Sequence, residues 1–236
     1  FLPAVREKID RAREVAQSRP EDPQAVGAFC MALHAHRVLD AAGSCYERAR
    51  ALDPKRFEWA YYHAVVLAES GSGPAASSSF EAALGMKPEA TAARLRYANQ
   101  LLQQQQVDRA ATEYRRVAGS SPDSAAAWYG LGRCAIRQKN HQGAIEFLER
   151  SAELERSGAT YFALSQAYAL AGDRRKAEEA RAVREQLGAA EPGFPDPWLD
   201  ALSQEQKGAY SLMSRAVQAS AEGKLTLAAT LFEEAA

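Results

Sequence analysis

Apolar residues recur along most of the chain at helical spacing, in short stripes that end on a polar position. Phe29 and Leu33 lead to His36, and Leu131 and Ala135 lead to Gln138. No sustained apolar/polar alternation interrupts these stripes, so the pattern predicts helices throughout. The stripes are cut at Gly71-Ser72-Gly73, at Gln103 to Gln106, at Lys139-Asn140 and at Gly172-Asp173. Gly73-Pro74 and Gly172-Asp173 combine a stop with a start. Glycine accepts the left-handed turn after a helix, and Pro or Asp opens the next one. The expected unit is therefore an antiparallel pair of short helices.

These pairs recur with a fixed period. Pro20, Pro54, Pro88 and Pro122 are 34 residues apart, as are Ala42, Ala76, Ala110 and Ala144, with Ala177 following one residue early. Tyr46, Phe80, Tyr114 and Leu148 keep the same interval. A helix pair of this length cannot bury its own apolar face, so neighbouring pairs must stack. The small residues fit close helix crossings, with Gly132 expected opposite Ala144, and the aromatic series is expected between successive pairs.

Trp128, Leu131, Gly132, Ala135, Ala144 and Leu148, together with three earlier copies of Ala-x3-aromatic-x7-Pro, resemble the tetratricopeptide repeat pattern. The resemblance implies an all-α, right-handed superhelical solenoid of antiparallel helix pairs. It divides the chain into an N-terminal capping helix (1–20), five repeats (21–188), a Pro-rich connector (189–204) and a sixth helix pair (205–236). The fifth repeat departs from the pattern, with Arg181 at the aromatic site and a second helix rich in Arg, Lys and Glu, so the array is expected to loosen there. The connector carries Pro192, Gly193, Pro195 and Pro197 ahead of Trp198. Trp198 is read as a hydrophobic peg that docks the connector on a helix, with a ligand platform as the alternative.

Charge narrows the possible partners. Twenty-nine Lys and Arg against thirty Asp and Glu give a net charge of -1, so the chain lacks the positive field that would gather nucleic acid or anionic lipid. No apolar run is long enough to insert into a membrane. Cys30, Cys45 and Cys134 have no C-x-x-C spacing; all three are expected to fill small apolar positions, with a Cys30–Cys45 bridge as the alternative.

Catalytic and cofactor strings are weak, and the reading is that the chain is no enzyme and holds neither metal nor cofactor. Gly130-Leu131-Gly132-Arg133-Cys134-Ala135 spells G-x-G-x-x-A, but that fingerprint needs a strand-to-helix turn and these residues fall inside a helix. His34 and His36 point to different faces of a helix, and His63 and His141 stand alone in sequence. Glu146, Glu149 and Glu153 share one helix face and read as solvated surface.

By the resemblance, first helices line a concave groove that takes a partner protein or peptide. Matched by register, the groove residues are Tyr61, Tyr62 and Val65; Leu95, Arg96 and Asn99; Tyr129, Arg133, Ile136 and Arg137; and Phe162 and Gln166. Rings interleaved with Arg and Asn suit a peptide carrying acidic groups. The contrary reading is that Tyr61, Tyr129 and Phe162 only pack against the adjoining helix. The Lys/Asn clamp of chaperone-tail binders is absent, since its positions begin with Gly27 and Met31. The asparagine ladder of the sugar-transferase superhelix is absent too, its positions holding Ala28, Tyr62, Arg96, Gly130 and Ala163. The expected function is a non-catalytic interaction scaffold. The alternatives are the targeting arm of a larger enzyme and self-association. A start at Phe1 and an end within a periodic stretch are read as marks of a fragment. Residues 1–7 are similar to the stretch after the export signal of some bacterial repeat proteins, which leans toward an exported protein without fixing the compartment.

Overall fold

The computed structural model describes residues 3–203 and, beyond them, 217, 219–220, 224–227 and 229–230. Among the described residues there is no strand. Up to residue 187 the helices run in order: α1 (Pro3–Ser18), α2 (Pro23–Ala35), α3 (Leu39–Leu52), α4 (Phe57–Glu69), α5 (Gly73–Met86), α6 (Thr91–Gln103), α7 (Val107–Ser120), α8 (Ala125–Arg137), α9 (His141–Leu154), α10 (Gly158–Ala171) and α11 (Arg174–Leu187). The chain divides into two compact units. One comprises residues up to Ser79 and those from Asp196 on, the other Phe80–Pro195.

Each hairpin turn is built the same way. One or two residues past the first helix the backbone adopts positive φ, at Arg37, Gly71, Gln105, Lys139 and Gly172. The next amide then reaches back five residues, as in Val38 to Leu33, Gln106 to Leu101, Asn140 to Ala135 and Asp173 to Tyr168. This is the Schellman closure, which satisfies carbonyls that the helix end would leave open. Second helices then start on side-chain caps at two of these turns, Asn140 accepting from Gly143 N–H and Asp173 from Lys176 N–H.

In the first unit, Tyr46 is fully buried and stacks on Tyr62 with centroids 5.7 Å apart. Gly27 on α2 leaves the space that the Trp59 ring occupies. Cys30 and Cys45 form a disulfide between α2 and α3, with Cα atoms 5.3 Å apart. The bridge corrects the expectation that these two fill apolar positions as free thiols, because the close helix crossing brings their Cα atoms within disulfide reach. Cys134 is free and buried. The histidines of this unit, His34, His36 and His63, are buried. His34 Nδ1 lies 3.4 Å from the Tyr46 hydroxyl, and His63 Nδ1 lies 2.8 Å from Arg50 Nη1. Burial and the Arg50 charge lower the His63 pKa.

In the second unit, α6/α7, α8/α9 and α10/α11 form the pairs. Gly130 is required because a Cβ there would overlap the Tyr114 ring. At Gly132 the atoms nearest the missing Cβ are those of the Leu148 side chain, one turn beyond Ala144 on α9. The close crossing is there, and both Leu148 and Ala144 are buried in the same core. Tyr114 donates to Asn99 Oδ1 at 2.6 Å, which fixes the ring. On α11 only Ala177 and Ala180 are buried, as the charged sequence of that helix leads one to expect.

Residues 197–203, expected to be connector, are helical. Asp196 caps them, its carboxylate accepting from Leu199 N–H at 3.2 Å, and Pro197 takes the first helical position. The helix pair expected over 205–236 falls largely outside the described residues; the described positions 217, 219–220, 225–227 and 229–230 are helical.

Candidate functional site

The register-matched residues lie on first helices of both units. In the second unit, α6 contributes Leu95, Arg96 and Asn99, α8 contributes Tyr129, Arg133, Ile136 and Arg137, and α10 contributes Phe162 and Gln166. Leu95 is buried in the core, and Ile136 packs against the central cluster. Gln166 is exposed, and Phe162 is 50% exposed with the Arg184 guanidinium over its ring at 5.7 Å. Arg137 is exposed and donates to Leu102 O at 3.1 Å and Gln105 Oε1 at 3.0 Å.

The structure brings Asn99, Tyr129 and Arg133 together. Arg133 stacks over the Tyr129 ring at 5.3 Å and reaches Asn99 Oδ1 at 3.5 Å. The same guanidinium lies 3.6 Å from Glu191 Oε1, and the Tyr129 hydroxyl points at that oxygen from 3.5 Å. Burial raises the Tyr129 pKa, opposed by the Arg133 charge and reinforced by Glu191, so the hydroxyl stays a donor at neutral pH.

Glu191 belongs to a segment without regular secondary structure that follows the end of α11. The amide of Ala159, in the first turn of α10, donates to Ala190 O at 3.0 Å. Gly158 permits that approach, since a Cβ there would collide with the carbonyl of Gly188. Pro192 is buried. Gly193 N–H donates to the Glu155 carboxylate at 3.1 and 3.2 Å. Phe194 lies under the Arg96 guanidinium, 5.4 Å from the ring centroid. A cavity of about 390 Å³ remains beside Phe194 and Gly193, lined also by Thr91, Ser124 and Glu155.

In the first unit the matched residues are Tyr61, Tyr62 and Val65 on α4, all buried. The Tyr61 hydroxyl donates to Asp196 Oδ2 at 2.5 Å, and Tyr62 donates to Trp198 O at 3.0 Å. The Trp198 ring packs on Phe57 and Tyr61, with centroids 4.8 and 5.4 Å away. Burial pushes the Tyr62 hydroxyl up to about 12, with Glu58 and Asp196 adding to it. Tyr61 and Tyr62 thus both pack against residues 196–198, and Tyr62 also against Tyr46 of α3.

Sequence reasoning placed Trp198 as a docking peg and missed Glu191, Phe194 and Asp196. Asp196-Pro197 is a readable helix start. Nothing in the pattern pairs Glu191 with Arg133, 58 positions earlier in the numbering. Among the described residues no group of three His, Cys, Asp or Glu side chains could hold a metal, and no helix is long and apolar enough to cross a membrane. The G-x-G-x-x-A string lies inside α8.

The family profile described as tetratricopeptide repeat matches residues 32–91 and 95–159, over half of the chain. The chain belongs to the tetratricopeptide repeat family, whose fold serves as a scaffold for protein–protein interaction. Several solved structures share this fold. MamA 41-end from Desulfovibrio magneticus RS-1 is 19% identical, with 76% of this chain and 94% of that one covered at a TM-score of 0.63. YrrB, described as a TPR protein with an unusual peptide-binding site, is also 19% identical and covers 83% and 97% at 0.64. PilF of Pseudomonas aeruginosa is 16% identical and covers 91% and 90% at 0.62. No protein of curated function matches the sequence.

Proposed function

We propose that the chain is a non-catalytic scaffold that holds an extended partner segment, carrying acidic groups, on the first-helix face of its second unit. One observation carries this reading: the face already holds a stretch of non-helical backbone. Residues 190–194 lie on it without regular secondary structure, gripped by a helix amide, a guanidinium–carboxylate contact and a guanidinium–ring contact. A surface that supplies backbone hydrogen bonds, a cation and aromatic area is equipped for peptides in general. YrrB, described as having an unusual peptide-binding site, shares the fold.

Selection from a displayed random-peptide library on the full chain tests the proposal. Enriched peptides are expected to slow hydrogen exchange in α6 and α8, and to lose binding when Arg133→Glu and Arg137→Glu are combined with unchanged helical circular dichroism. Protection confined to α7 and α9, or equal binding by the double variant, would overturn it.

A further inference from the structure

We infer that the segment 188–195 is an internal occupant of the second unit's first-helix face, and that the partner binds by displacing it with a segment of the same chemistry. That chemistry is a carboxylate followed three residues later by an aromatic ring, in extended proline-containing backbone. The inference rests on the scaffold reading above and adds to it what the face takes and what must leave first.

The contacts of the segment have the character of ligand contacts. Core segments in this unit are helical and close their own backbone hydrogen bonds, whereas this one leans on others: Ala159 N–H on Ala190 O, and Glu155 on Gly193 N–H. Its two side-chain anchors, Glu191 and Phe194, meet Arg133 and Arg96. Both arginines stand at positions that the repeat register assigns to the partner-facing side. Charge is complementary, an acidic segment on a cationic pair.

Each contact is weak enough to exchange. The Arg133–Glu191 pair is partly solvated, with Glu191 side-chain exposure of 58%, and solvent screening leaves such pairs weak. Prolines at 192 and 195 keep the backbone extended at low entropic cost and out of any helix. The fit is also incomplete, since the 390 Å³ cavity beside Phe194 admits a larger side chain. Tethering holds the occupant in place by an effective concentration of about millimolar. An outside segment with the same anchors and better filling of that cavity competes on these terms.

The test uses the full chain and a fluorescent peptide of residues 188–195. Glu191→Ala with Phe194→Ala removes the anchors of the internal copy and leaves the face intact. Glu191→Lys acts independently, setting a cation of the internal copy against the Arg133 guanidinium while every side chain of the face is kept. Fluorescence anisotropy should show at least tenfold tighter peptide binding by either variant than by the unaltered chain. The gain should disappear when Arg133→Ala is added. Equal affinity for variants and unaltered chain would overturn the inference, as would a gain indifferent to Arg133. So would a dimeric mass of the unaltered chain that becomes monomeric in the anchor variant, because the segment would then serve a second copy. If the opened chain ignores this peptide but binds library-selected peptides, the occupant reading falls and the scaffold reading stands. If it binds neither, both fall.

Discussion

A single backbone angle sets the scale at which residues matter in the hairpin turns. Lys139 sits at φ 60° and Gly172 at φ 88°, equivalent positions of successive repeats. A side chain in the left-handed region costs about 1–2 kcal/mol, and glycine avoids that cost while losing about 0.5–1 kcal/mol in extra unfolded-state freedom. Lys139→Gly should therefore stabilise the chain by about 0.5–1 kcal/mol, and Gly172→Ala should destabilise it by a similar or larger amount. Urea unfolding checks both, as a change in midpoint with the slope unaltered. The same sign for the two substitutions would mean that the turns are not equivalent. The locations of these turns were legible in the sequence. That non-glycine residues occupy three of the left-handed positions was not, because only the 34-residue spacing places Arg37, Gln105 and Lys139 where Gly71 stands.

At the scale of the element, propensity and packing make opposite forecasts, and the structure says which wins. Gly130 lies within α8, where alanine is favoured by up to about 1 kcal/mol. The Tyr114 ring fills the space of its missing side chain, and the ring cannot swing away cheaply because its hydroxyl is held by Asn99 at 2.6 Å. Gly130→Ala should thus lose about 1–3 kcal/mol of stability through overpacking. Leaving Tyr114 smaller restores the room, so Gly130→Ala with Tyr114→Leu should cost less than the sum of the two single changes in a thermal or urea double-mutant cycle. Helix ends, pairing and the aromatic fillers followed from periodicity, because each repeat repeats the same contact. Spacing identified the Gly132 crossing without showing that the Leu148 side chain reaches into it. The candidate site was legible only on one side: the arginines and tyrosines could be placed by register, whereas Glu191 and Phe194 lie in non-periodic sequence whose docking depends on tertiary structure.

For the molecule as a whole, the two units differ in what stabilises them. The first carries a covalent link, Cys30–Cys45, closing a loop of sequence separation 15, and a loop of that size raises stability by about 3 kcal/mol through restriction of the unfolded chain. The second holds Cys134 buried, its thiol pushed up to about 11 by burial, and has no such link among the described residues. Sequence left the bridge and the free-thiol reading both open, because spacing alone does not tell whether two helical cysteines face each other. Alkylation of the denatured chain should therefore modify one cysteine without reductant and all three after reduction. Cys30→Ser with Cys45→Ser should lower the stability of the first unit by about 2–4 kcal/mol, seen as faster hydrogen exchange in α2, α3 and α4. Exchange in α8 and α9 depends on the packing of Leu148, Tyr114 and their glycine contacts, so it should keep its rate. Three reactive cysteines in the unreduced, denatured chain, or a serine pair indistinguishable from the unaltered chain, would show that the bridge does not stabilise this unit.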